Sequence, residues 1–104
     1  MPHILISTTS DDREELVKIA GRLIDDQLAA CCQITGPVTS FYRWRGIVAT
    51  SIEWMCLIKT QTKLYSSVEQ VIRQHHHYDE PEIIATEIKL GSAGYLNWID
   101  ENVR

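Results

Sequence analysis

At 104 residues the chain is the size of one domain, spanning 1–104, and can bury roughly two-thirds of its unfolded surface. Apolar content of 44% and charged content of 23% are those of an ordinary globular chain. The net charge of −4, with scattered cations and only Arg43 and Arg45 close together, points away from nucleic acid as a partner. No apolar run approaches the roughly 18 residues of a membrane span, and Met1-Pro2-His3 carries no charged leader region, so the sequence predicts no membrane association and a cytoplasmic location.

In chain order, His3-Ile4-Leu5-Ile6-Ser7 is a short apolar run that fits a buried central strand. Asp11-Asp12-Arg13-Glu14-Glu15 then opens a helix, with Asp11 as cap, Glu14 three residues on, and acidic residues near the positive helix end. Leu16, Ile19, Ala20, Leu23, Ile24 and Leu28 follow helical spacing and mark its buried stripe. Residues 29–34 turn extended, and Gly36-Pro37 predicts a bend or bulge. Cys31 and Cys32 are adjacent on that strand and point to opposite faces. With Cys56 they make an odd count without a CxxC motif, which reads as reduced, packed thiols in a reducing compartment.

The stretch from Ser40 to Lys59 carries the most information. Both arms, Ser40-Phe41-Tyr42-Arg43-Trp44-Arg45 and Glu53-Trp54-Met55-Cys56-Leu57-Ile58-Lys59, are rich in aromatic and β-branched residues. Gly46 with Ala49-Thr50-Ser51 breaks them, which predicts a long β-hairpin. Alternation puts Ser40, Tyr42 and Trp44 on one side and Phe41, Arg43 and Arg45 on the other. That is more exposed aromatic surface than a small monomer needs. Thr62 can cap a second helix with a stripe of Leu64, Val68, Val71, Ile72 and His75, ended by Tyr78-Asp79-Glu80-Pro81. Residues 82–90 read as a strand, and Ser92 caps a last short helix carrying Tyr95, Leu96, Trp98 and Ile99.

The resulting order, β-α-β-β-α-β plus a terminal helix, is the ferredoxin-like split βαβ of the α+β class, with two helices on one face of an antiparallel sheet. The opposite face has to be covered or polar, and the aromatic hairpin on it favours self-association. The fold alone does not fix function.

The blocks Leu28-Ala29-Ala30-Cys31-Cys32-Gln33-Ile34, Ser40-x-Tyr42-x-Trp44-x-Gly46, Glu53, Ile58-Lys59-Thr60, His75-x-x-Tyr78-x-x-Pro81-Glu82-Ile83-Ile84, Gly91 and Tyr95-Leu96-x-Trp98-Ile99 resemble, in order and over essentially the whole chain, the CutA family of divalent-cation tolerance proteins. The resemblance implies a cytosolic homotrimer of ferredoxin-like subunits, similar in architecture to the PII signalling proteins. It implies a role in tolerance of copper or other divalent cations, and no catalytic activity. It also implies an intersubunit cleft lined by Tyr42, Trp44, Lys59, His75, Tyr78, Glu82 and Trp98. Some members carry a Cys near the end of the first strand, grouped with His at the positions of His75 and His76; here Ser7 stands in that place.

The triplet His75-His76-His77 lies at a helix C-terminus, where cations interact favourably with the dipole. Adjacent helical residues point about 100° apart, so the triplet alone is a poor chelate. His75 continues the apolar stripe and is expected to be packed, with His76 and His77 exposed. Neutral imidazole is nonetheless a favoured ligand for copper and zinc, so weak copper(II) or zinc binding through His75 and His76 is expected, with a soft copper(I) site disfavoured by Ser7. Three function classes follow. The first is a non-enzymatic trimeric binding or regulatory protein for divalent metals. The second is a PII-like sensor of a small anionic metabolite using Lys59 and Arg43. The third is a small enzyme using Lys59 as base or Schiff-base amine with Glu53 or Glu82, disfavoured because the sequence offers no nucleophile–base motif. A simpler reading makes Tyr42, Trp44 and Trp98 interface aromatics and Lys59 and Glu82 an ion pair.

Overall fold

Alternation along the strands decides which way the sheet faces. The computed structural model describes residues 2–104 as β1 (His3–Ser10), α1 (Arg13–Asp25), β2 (Cys31–Trp44), β3 (Ile47–Gln61), a 3-10 turn (Thr62–Leu64), α2 (Tyr65–His75), β4 (Ile84–Glu87) and α3 (Ala93–Glu101). The strands lie in the order β2-β3-β1-β4 with every neighbouring pair antiparallel, so β1 and β2 run parallel with β3 inserted between them. That is the split βαβ expected from the sequence. Ile4, Ile6 and Thr8 of β1 share one face with Cys56, Ile58 and Thr60 of β3, and all are buried. Leu16, Ile19 and Leu23 of α1 and Val68, Val71 and Ile72 of α2 complete this core. Each such aliphatic side chain contributes about 1.5–3 kcal/mol on burial.

Local chemistry sets the element ends. Asp12, rather than Asp11, caps α1, its carboxylate accepting the Glu14 N–H at 3.1 Å. The helix stops in a Schellman arrangement without glycine. Gln27 adopts φ 56°, its N–H reaches the Ile24 carbonyl, and the Leu28 N–H reaches the Leu23 carbonyl at 2.9 Å. Ile24, placed on the buried stripe by spacing, lies on the open side of the helix and is exposed. Thr62 is the first residue of the 3-10 turn and not the cap of α2, which begins at Tyr65. The last strand is four residues long, Ile84–Glu87, shorter than the expected 82–90. Ser92 caps α3 as expected, accepting the Tyr95 N–H.

The hairpin is longer than its sequence signal and turns elsewhere. Arg45 and Gly46, at φ 51° and 78°, form a two-residue turn, and residues 49–51 continue as strand opposite Tyr42, Phe41 and Ser40. A bulge between Thr35 and Val38 bends β2 at Gly36, whose φ of 142° and 2.7 Å clearance from its would-be Cβ to Trp54 Cδ1 exclude a side chain. β1 pairs with β3 only from Trp54 to Gln61. Residues 38–53 therefore pair only with one another and project as a two-stranded arm, giving extents of 44 × 26 × 22 Å. On the face away from α1 and α2, α3 is anchored near the β1 start, where Asp100 Oδ1 lies 2.8 Å from His3 Nε2 and accepts the Gln61 amide at 2.6 Å.

Candidate functional site

The topology brings the start of α1, the end of α2 and the end of β1 to one corner of the molecule. Helix α2 stops at His75, and His76 is extended at φ −91° and ψ 136°. The 100° rule therefore no longer applies to the triplet, and the three imidazoles go three ways. His75 is half-buried, its Nδ1 2.9 Å from the Val71 carbonyl. The His76 side chain is fully enclosed, contrary to its expected exposure. Its Nε2 lies 2.6 Å from the Thr9 carbonyl, which can only accept, so Nε2 carries the hydrogen. Nδ1 accepts the Tyr78 N–H at 3.1 Å and therefore carries a lone pair. His77 is half-exposed, and its ring lies between two carboxylates. Nδ1 is 2.9 Å from Glu15 Oε2 and Nε2 is 3.1 Å from Asp11 Oδ1. The hydrogen bond to Glu15 is the main reason the imidazolium form of His77 persists above the ordinary histidine range.

Glu15 is held in turn from both sides. The Ser10 hydroxyl donates to Oε2 at 2.8 Å and the His77 N–H donates to Oε1 at 2.9 Å. His76 Nδ1 lies 3.5 Å from the same Oε2. One ligand atom from each of Glu15, His76 and His77 falls within 4.8 Å of the others. Of the histidines read from the sequence, the fold gathers His76 with His77 and not with His75.

Tyr78 connects this corner to a cleft beneath the arm. Its hydroxyl donates to Glu53 Oε2 at 2.7 Å and accepts the Asp11 N–H at 3.0 Å. Glu53 is a buried carboxylate on β3, and burial followed by its hydrogen bond pushes the Tyr78 phenol well above the tyrosine range. The cleft, about 710 Å³, is lined by Phe41, Tyr42 and Trp44 of the arm and by the carboxylates of Glu53, Asp79, Glu80 and Glu82, with no Lys, Arg or His among the described residues that line it. The Ser7 hydroxyl donates to Glu82 Oε2 at 3.0 Å.

Lys59 and Trp98 lie apart from this group. Lys59 Nζ donates to the Tyr95 hydroxyl at 3.3 Å and sits 5.4 Å from the centre of that ring, which stacks on Trp98 at 5.5 Å. The expected Lys59–Glu82 ion pair is replaced by Lys59–Tyr95 and Ser7–Glu82 contacts. Among the thiols, Cys56 is buried and Cys31 and Cys32 are half-buried. The Cys56 sulfur beside it, with burial second, pushes the Cys32 thiol far above the cysteine range.

The model of the CutA1 divalent ion tolerance protein family matches residues 4–102. The chain belongs to that family. It is 38% identical over 100 residues to the divalent-cation tolerance protein CutA of Thermus thermophilus, covering 95% of this chain and 94% of that protein. It is 36% identical over 104 residues to the chloroplastic CutA 1 of Oryza sativa, all of this chain but 59% of that protein; it spans 57% of the Arabidopsis thaliana chloroplastic protein. Solved CutA1 structures superpose closely. That of Thermus thermophilus has a TM-score of 0.95 at 34% identity over 98% of this chain and 99% of that chain. That of Oryza sativa has a TM-score of 0.95 at 36% identity, over 100% and 95%. Relatives carry chloroplastic and periplasmic names; no helix of this chain's described residues is long and apolar enough to cross a membrane.

Sequence reasoning passed over Glu15, Asp11 and His77 as site residues. Asp11 and Glu15 read as ordinary acidic residues of a helix start, and His77 as the solvated end of a triplet. The signal was topological. In a split βαβ, α1 leaves the end of β1 where α2 arrives, so acids at one helix start meet histidines at the other helix end.

Proposed function

We propose that this chain is a cytoplasmic homotrimeric protein of divalent-cation tolerance that binds copper(II) or zinc without catalysing a reaction. The observation that carries this reading is the cleft, in which four carboxylates and three arm aromatics stand with no Lys, Arg or His among the described lining residues. Such a wall attracts a divalent cation and repels a small anion. It therefore favours the metal reading over the anionic-metabolite sensor, whose expected cations, Lys59 and Arg43, both lie outside the lining, bonded to the Tyr95 hydroxyl and the Gly46 carbonyl. The enzyme reading loses its pairing too, because Lys59 contacts neither Glu53 nor Glu82 while Glu53 holds Tyr78. The exposed arm residues Phe41, Trp44, Ile47 and Val48 support assembly, because an apolar two-stranded edge left in solvent invites pairing with further chains. Calorimetric titration at neutral pH tests the reading: heat with copper(II) or zinc chloride and none with ATP or citrate is expected. Binding of the anions without the metals contradicts it.

A further inference from the structure

We propose that Glu15, His76 and His77 form a specific site for a borderline divalent ion, zinc or copper(II), at the corner where α1 begins and α2 ends. The inference rests on the reading that the chain binds divalent cations, and it locates that binding away from His75. The three donor atoms lie within 4.8 Å of one another, a span that one ion with ligand bonds of about 2.0–2.2 Å can bridge.

Each ligand is already oriented by an outer partner. The His76 Nε2–H is fixed on the Thr9 carbonyl, which leaves its Nδ1 lone pair 3.5 Å from Glu15 Oε2. His77 Nε2 is fixed on Asp11, which leaves Nδ1 toward Glu15. Glu15 is fixed by Ser10. A histidine that donates one ring N–H to a carbonyl or carboxylate while turning the other nitrogen inward is the arrangement that sets tautomer and ring angle in metal sites. Two carboxylates, Glu15 and Asp11, balance a doubly charged ion. Half-exposed His77 provides the entry path. Imidazole and carboxylate donors suit zinc, copper(II) and nickel rather than soft copper(I), and three protein ligands leave one position open for water. The ion would replace the proton His77 shares with Glu15 and take the His76 lone pair that now accepts the Tyr78 N–H.

The test is calorimetry with zinc chloride and copper(II) chloride, with cobalt(II) absorption as a second readout, on the intact protein and on His77→Gln, Glu15→Gln and His75→Ala. Far-UV circular dichroism checks that each variant is folded, and the wild-type cobalt(II) spectrum keeps the proposal testable if one is not. His77→Gln and Glu15→Gln are expected to lose at least about tenfold in affinity, with His75→Ala unchanged and the wild-type cobalt(II) spectrum reporting imidazole nitrogen. Unchanged affinity in the first two variants overturns the site while leaving divalent binding in place, for example in the acidic cleft. No binding by the wild type overturns both. A wild-type cobalt(II) spectrum of oxygen ligands alone also overturns the site.

Discussion

The body of the molecule and its arm are built from the same strands and obey opposite rules. In β3, Cys56, Ile58 and Thr60 are fully buried, while Ile47, Val48 and Ile52 of the same strand are more than half exposed. The body closes on itself because α1 and α2 cover one face of a four-stranded sheet. The arm, residues 38–53, has only two strands, and an isolated two-stranded ribbon is marginal in water. The difference places stability in the body and leaves the arm as the surface on which the proposed assembly would act. Substitutions in the body are expected to act on folding, and substitutions on the arm on association.

The largest effect is expected in the body. Leu23 is fully buried among Leu16, Ile19 and Ile72 in one core cluster, so Leu23→Ala is expected to lower unfolding free energy by about 2–5 kcal/mol in urea denaturation. A loss much under 1 kcal/mol would mean that the body core is not what holds the chain together. Next comes the joint between the two regions. Gly36→Ala places a Cβ 2.7 Å from Trp54 Cδ1 and 3.1 Å from the Glu53 carbonyl oxygen at φ 142°, and about 1–3 kcal/mol of destabilisation is expected. A variant as stable as wild type would show that the bulge relaxes freely.

A comparable loss is expected from Tyr78→Phe, which removes the donor to buried Glu53 Oε2; an unsatisfied buried acceptor costs about 1–3 kcal/mol. The same residue carries a pH signature. Its phenol is held protonated by burial and by Glu53, so its stabilisation is fully present below the unfolded tyrosine pKa of about 10 and fades as pH rises through the higher folded value. Ultraviolet titration of the folded protein should show a late-ionising phenol that disappears in Tyr78→Phe. Simultaneous ionisation of all four tyrosines at the ordinary value would contradict the buried pair. The smallest effect concerns the thiols. Cys56 is buried and the Cys32 thiol is pushed up beside it, so both should label slowly without denaturant, and fast labelling of Cys56 would contradict its burial.

Much of this contrast was legible in the sequence. The apolar stripes Leu16-Ile19-Leu23 and Val68-Val71-Ile72 marked both helices, and the aromatic content of residues 41–44 marked the arm. The turn was misplaced because Arg45-Gly46 lacks an Asn or Asp before its glycine, while Ala49-Thr50-Ser51 looks like a break until strand pairing claims it. The histidine corner was harder. Spacing rules assume a continuous helix, and α2 ends at His75, so His76 turned inward where helical geometry put it outside. Lys59 and Trp98 share a family pattern with Tyr42 and Trp44, yet within one chain they lie with Tyr95. Local sequence carries no information on which of these residues meet in space.

The measurement that bears most directly on the division between body and arm is the solution mass, by light scattering at micromolar concentration, of the wild type and of Trp44→Ala. Trp44 is half-exposed at the arm tip and lies outside the body core. The account predicts three chain masses for the wild type, a weakened assembly for Trp44→Ala with its far-UV spectrum retained, and no change for a control at exposed Asp12. A stable single-chain mass for the wild type would contradict it.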